Sequence, residues 1–128
     1  MTTWTSDELT RIGNAEELQI ASLRPEGTAR NAVTIWVVRL GDDLYVRSVN
    51  GRAGGWFRGT QQRHAGHIRA DGISKDVIFA DPSDGVDDQI DAAYRSKYRR
   101  YPANIVGGVL TPQARAATLK LVPRPASP

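Results

Sequence analysis

The 128-residue chain has no cysteine, which excludes disulfides, thiol catalysis, iron–sulfur clusters and thiolate zinc sites. It has no long hydrophobic run either. Its most apolar stretch, Ala32 to Val38, is far too short to span a bilayer. The opening MTTWTSDEL shows neither the basic segment nor the apolar core of a secretory signal, so a cytoplasmic protein is expected. Charge of one sign is missing locally as well. Between Leu44 and Ala70 there is no aspartate or glutamate, while five arginines, two histidines and five glycines fall there. Acids then crowd into Asp81, Asp84, Asp87, Asp88 and Asp91, a sorting that the net charge of +3 conceals.

Catalytic signatures are also scarce. There is no G-x-S-x-G, and no serine has a suitable His–acid pair, so nucleophilic hydrolysis has little support and no catalytic side chain is assigned. His64 and His67 form an H-x-x-H pair with no third ligand nearby, and no metal site is read from them. No zinc finger, basic helix or RNA-recognition motif accompanies the basic residues, 14 of which, among 17, are arginine. Nucleic acid is accordingly the secondary reading.

What is present is a stretch suited to receiving an anion. Arg47, Ser48, Asn50 and Arg52 lie on or just after a strand end, followed by a glycine loop containing Gly51, Gly54 and Gly55. Guanidinium forks suit phosphate or carboxylate, and glycine lets backbone N–H groups approach closely. The competing reading pairs these arginines with the Asp81–Asp91 cluster. Trp56 and Phe57, just before Arg58, are placed either to stack on a planar ring or to pack in the core. Trp36, mid-strand, is placed to line the same cavity or to pack in the core, of which core is the favoured reading, and the tyrosines Tyr94, Tyr98 and Tyr101 read as core or subunit interface.

Thr5 and Glu8 have the spacing of a capping box, predicting a helix from Ser6 to Asn14. Leu18 to Leu23 reads as a strand. Ala32 to Leu40, nearly all apolar and β-branched, reads as a central strand buried on both faces. Gly41-Asp42-Asp43 turns it into a returning strand from Leu44 to Asn50, whose period of two delivers Arg47 to the outer or groove face beside Tyr45. Trp56 to Arg63 is a short helix or irregular segment. Asp71-Gly72 closes a second hairpin, pairing Ala70 with Ile73, Ile68 with Lys75 and His67 with Asp76. Asp84 to Tyr101 reads as a helix stopped by Pro102, Thr111-Pro112 as a helical turn, and Thr118 to Val122 as a last strand. The expected fold is mainly β (α+β), a small antiparallel split barrel with flanking helices. One domain spans 1–122, with 123–128 a disordered tail.

The run VTIWVVRLGDDLYVRSVNGRAGGWFRG, followed by HAGHIRADG and ending in TLKLVPR, resembles a small bacterial family of unknown function. That family in turn is similar to the FMN-binding split-barrel proteins, among them pyridoxamine-phosphate-oxidase-like proteins and deazaflavin-dependent nitroreductases. The resemblance implies a homodimer that binds FMN or a deazaflavin nucleotide and transfers hydride to a small acceptor. Carried over by position, it puts Arg47, Ser48, Asn50, Gly51 and Arg52 on the cofactor phosphate, and Trp56, Phe57 and Arg58 towards the ring or substrate. One position departs from the pattern. Many relatives place a lysine shortly after the serine, where this chain has Val49 and Asn50, leaving Arg52 or Arg47 as the substitute. The alternative is a non-catalytic anion- or nucleic-acid-binding barrel module.

Overall fold

The computed structural model describes residues 3–124. Helix α1 covers Ser6–Asn14 and has the expected reciprocal cap: Glu8 N–H donates to Thr5 Oγ1 at 3.1 Å and Thr5 N–H to Glu8 Oε1 at 2.9 Å. Such caps contribute about 1 kcal/mol. Its apolar stripe, Leu9 and Ile12, is buried. The strands are β1 (Leu18–Ser22), β2 (Val33–Ile35), β3 (Val38–Leu40), β4 (Asp43–Arg47), β5 (Ala65–Ala70), β6 (Ile73–Ala80) and β7 (Thr118–Pro123). The remaining helices are α2 (Gly55–Arg63), α3 (Asp87–Lys97), α4 (Ala103–Gly107) and α5 (Pro112–Arg115), with a 3-10 turn at Gly51–Ala53.

All pairings are antiparallel, in the order β2-β1-β5-β6-β7-β4-β3. The β5–β6 hairpin has the predicted register, with His67 opposite Asp76 and Ala70 opposite Ile73. Asp71 (φ 48°) and Gly72 (φ 78°) supply the two left-handed residues that such a turn demands. His67 Nδ1 lies 2.9 Å from Asp76 Oδ1.

Ala32 to Leu40 is not the single central strand that its composition predicts. It divides into β2 and β3, which occupy opposite edges of the sheet although only Trp36 and Val37 separate them. A seven-stranded sheet whose two edges are covalent neighbours must curl on itself, so the sheet forms a half-barrel split at this seam. An edge needs less burial than a centre, and Val33 and Thr34 are exposed. Tyr98 pins the seam: its hydroxyl accepts from Val37 N–H at 3.2 Å and donates to Glu16 O at 2.7 Å. Its ring stacks on Trp36 with centroids 3.9 Å apart. Lys97 Nζ donates to Val37 O at 2.6 Å.

Two apolar clusters result. The barrel interior holds Leu18, Ile20, Leu44, Val46, Ile68 and Leu119 among others. The second lies under α3 and α4 against the other face of β3 and β4, with Val38, Tyr45, Ile90, Tyr94, Tyr98 and Val106. The tyrosine stripe read from the sequence is therefore core at Tyr94 and Tyr98, while Tyr101 is partly buried beside them. Helix α3 is shorter than the predicted Asp84–Tyr101 because Tyr98 already leaves helical geometry as its C-cap. Strand β7 runs through Pro123, and Arg124 N–H donates to Asp76 O at 2.9 Å. Residues 125–128 of the predicted tail lie outside the described residues. Among the described residues, no helix is long and apolar enough to cross a membrane.

Candidate functional site

Strand β4 is buried on both faces. Leu44 and Val46 enter the barrel, while Tyr45 and Arg47 take the opposite face, as the period of two requires. That face is covered by α3, not open. Arg47 is only 2% exposed, and all its donors are engaged. Nε donates to Thr118 Oγ1 (2.9 Å), Nη1 to Asp91 Oδ1 and Val109 O (2.8 Å), and Nη2 to Asp87 O (3.2 Å) and Asp87 Oδ1 (3.4 Å). Asp91 also meets Arg115 Nε at 3.2 Å, and Arg115 reaches Asp88. The acidic cluster thus takes up Arg47 and Arg115, which is the ion-pair alternative open in the sequence. Burying this charge is tolerable only because every N–H has an acceptor.

The other expected site residues scatter. Ser48 is fully buried, and its Oγ has no hydrogen-bond partner; a Cβ on Gly54 would stand 2.6 Å from that oxygen. Asn50 is exposed, and its carbonyl accepts from Gln113 Nε2 at 2.8 Å. Gly51 has φ 69° and is overlaid by the Gln113 side chain, which explains glycine there. Arg52 is exposed, donates to Ala116 O at 3.1 Å and lies over the Phe57 ring at 5.1 Å. It borders a polar cavity that also holds Asp81, Asp84 and Asp87. Phe57 is 1% exposed, in the barrel core. Arg58 is exposed on α2. The guanidiniums of Arg47 and Arg52 therefore do not converge on one cavity.

Trp56 is different, because it stands between two cavities. On one side, a space of about 300 Å³ is lined by Ile20, Ser22, Arg24, Arg30, Asn31, Val33, Gly55 and Trp56. On the other, a space of about 230 Å³ is lined by Thr34, Ile35, Trp36, Arg47, Val49, Trp56, Ile105 and Val109. The first is basic, and it meets the N-terminus of α2. There Gly54 is the N-cap and offers no side-chain acceptor to the first-turn N–H groups, leaving partial positive charge directed outwards. Two buried donors add to it. Arg30 Nε has no partner, and Ser22 is 5% exposed while lining the cavity. Gly59 allows this close packing of α2 on β1, since a Cβ there would meet Ser22 Oγ and would stand 3.0 Å from Arg30 Nε. The second cavity is walled mostly by indoles and aliphatic side chains, with Thr34 and the ion-paired Arg47 completing its lining.

Sequence reasoning did not single out Arg24, Arg30 and Asn31. The available signal was the segment RPEGTARN, two arginines flanking a glycine turn with one acid between them, which reads as an ordinary loop. Among the described residues, no three His, Asp or Glu side chains are placed to hold a metal ion.

Burial perturbs three groups at or near the seam. Desolvation raises the Tyr98 hydroxyl above its ordinary range, and the same cause raises Tyr94 beneath α3. Desolvation lowers the Lys97 ammonium to about 8.

A family model described as "Uncharacterized protein conserved in bacteria (DUF2255)" matches residues 8–121. The chain belongs to this family. Its fold is shared with solved proteins of low sequence identity. An F420 reductase superposes with a TM-score of 0.59 at 16% identity, covering 93% of each chain. HutZ, the heme storage protein from Vibrio cholerae, gives 0.62 at 12% identity, covering 96% of this chain and 91% of its own. The conserved hypothetical protein Rv2991 from Mycobacterium tuberculosis gives 0.66 at 8% identity, covering 97% and 83%. No curated protein matches the chain. Identities this low establish the split-barrel fold alone.

Proposed function

We propose that this DUF2255 chain binds a phosphorylated planar cofactor of the flavin or deazaflavin type along β2. The phosphate sits in the basic cavity and the ring in the apolar one. The single observation that carries the reading is Trp56 forming a wall of both. A ligand with an anionic end and a flat, weakly polar body matches that pair of adjacent spaces. Arg24, Arg30 and Asn31 hold the anion with the first N–H groups of α2. Trp36, Trp56, Val49 and Ile105 flank the ring.

Among the structural neighbours, one is an F420 reductase and another a heme storage protein. The residues of these two cavities favour the former chemistry. Their linings contain no histidine, methionine, tyrosine or cysteine to serve as an axial iron ligand. A bound flavin or deazaflavin supplies hydride transfer, and the protein supplies binding, orientation and exclusion of water. Here the indoles of Trp36 and Trp56 would flank the ring. The buried Arg47–Asp91 pair holds Val109 and α3 in place behind it. The rim of the groove carries exposed Val33 (39%), Val49 (54%) and Ile105 (49%). A second copy of the chain over that rim removes this apolar surface from water.

The test is reconstitution. FMN and, separately, a deazaflavin nucleotide are titrated into the purified chain while ring fluorescence is followed. A saturable change with at least one of them supports the proposal, and an unchanged signal with both contradicts it.

A further inference from the structure

Helix α4 has two sides. Ile105 faces the apolar ring cavity, while Ala103 and Val106 line a separate surface cavity of about 390 Å³ together with Arg95, Arg99, Tyr101 and Leu110. Its apolar lining comes from Tyr101, Ala103, Val106 and Leu110. Arg95 lies on α3 and Arg99 just beyond its C-cap Tyr98, and both line this cavity. Among the described residues, neither Arg95 nor Arg99 takes part in an ion pair, whereas the neighbouring Arg100 pairs with Glu16. No aspartate or glutamate lines the cavity.

From this we infer a second ligand site, independent of the cofactor groove, that takes a small monoanion with an apolar body, such as a medium-chain or aromatic carboxylate. The carboxylate meets the forks of Arg95 and Arg99, a geometry that guanidinium fits bidentately. The body lies on Tyr101, Val106 and Leu110. A cation of the same shape finds repulsion instead of a partner, and a purely polar anion leaves the apolar lining wet. Occupancy is also within reach of the ring cavity, since the Tyr101 and Trp36 rings lie 5.1 Å apart and α4 is common to both spaces.

The experiment titrates octanoate, and separately octylamine, into the full chain without added cofactor. The backbone amide NMR shifts of Tyr101, Val106 and Leu110 are read. Octanoate is expected to move them saturably and octylamine to leave them in place. The Arg95→Gln/Arg99→Gln variant is expected to bind octanoate about tenfold more weakly, the scale of a lost charge-assisted contact, with its unfolding midpoint unchanged because both side chains are exposed. Equal responses to octanoate and octylamine, no response of these amides to octanoate, or unaltered octanoate affinity in the variant would each overturn the assignment. None of these readings involves FMN, so the outcome is separate from that of the cofactor proposal.

Discussion

The guanidinium of Arg47 is closed onto the carboxylate of Asp91, tying β4 to α3 across a buried contact with no solvent-exposed side-chain surface on the arginine. Arg47→Met leaves Asp91 and Asp87 without that partner. Asp91 keeps its contact with Arg115, so the expected loss is about 3 kcal/mol, the lower end of the cost of breaking a buried pair. Urea unfolding followed by tryptophan fluorescence measures it. The double variant Arg47→Met/Asp91→Leu should recover a large part, because replacing both members by apolar groups removes the desolvation penalty. Failure of the double variant to improve on the single one would show that the pair is not the source of the loss.

A related expectation concerns the barrel seam. Tyr98→Phe removes the hydroxyl that accepts from Val37 N–H and donates to Glu16 O. Buried groups left unpaired in this way cost about 1–3 kcal/mol. Thermal or urea unfolding checks this, and hydrogen exchange at the Val37 amide should accelerate in the same variant.

Stability should depend on pH in a specific order. Lys97 has a folded value of about 8 against an ordinary 10.5. Between those values the unfolded chain binds more protons than the native one, so stability rises as pH climbs from about 8. Tyr94 and Tyr98 act in the opposite sense. Their folded values lie above the ordinary 10.0, so the native state keeps protons that the unfolded state loses, and stability falls beyond about pH 10. Unfolding midpoints measured from pH 7 to 11 should therefore pass through a maximum, and Lys97→Met should abolish the rising limb.

The rim of the groove yields a prediction on assembly. Val49→Glu and Ile105→Glu each place a charge on exposed positions, with little effect expected on the folding of one chain. Light scattering should report a dimer for the parent chain and a shift to monomer for these variants. A parent chain that is monomeric throughout would remove the second copy from the account.

Local signals in the sequence carried far. The Thr5–Glu8 cap, the Asp71-Gly72 turn and the His67–Asp76 pairing were legible because each is decided by residues close in sequence. The split of Ala32–Leu40 was not. An unbroken apolar run looks the same whether it crosses the middle of a sheet or turns the corner between its two edges, and only the global curl decides. The period of two put Arg47 on the correct face, but what covers that face is α3, forty residues further on. The Arg47–Arg58 stretch includes Trp56, which lines two cavities, but not Arg24, Arg30 and Asn31, which line one of them. These come from the β1–β2 loop, brought beside α2 by tertiary packing through Ser22 and Gly59.

The central claim is that phosphate recognition resides at Arg30 and its neighbours, beside a ring space bounded by Trp56. Parallel calorimetric titrations of FMN and riboflavin into the parent chain and into Arg30→Ala test it most directly. The account predicts that the parent binds FMN at least about tenfold more tightly than riboflavin, the scale of a charge-assisted phosphate contact, and that Arg30→Ala removes the difference while still binding the bare ring. Equal affinities for the two ligands in the parent, or an FMN preference that survives Arg30→Ala, would contradict it.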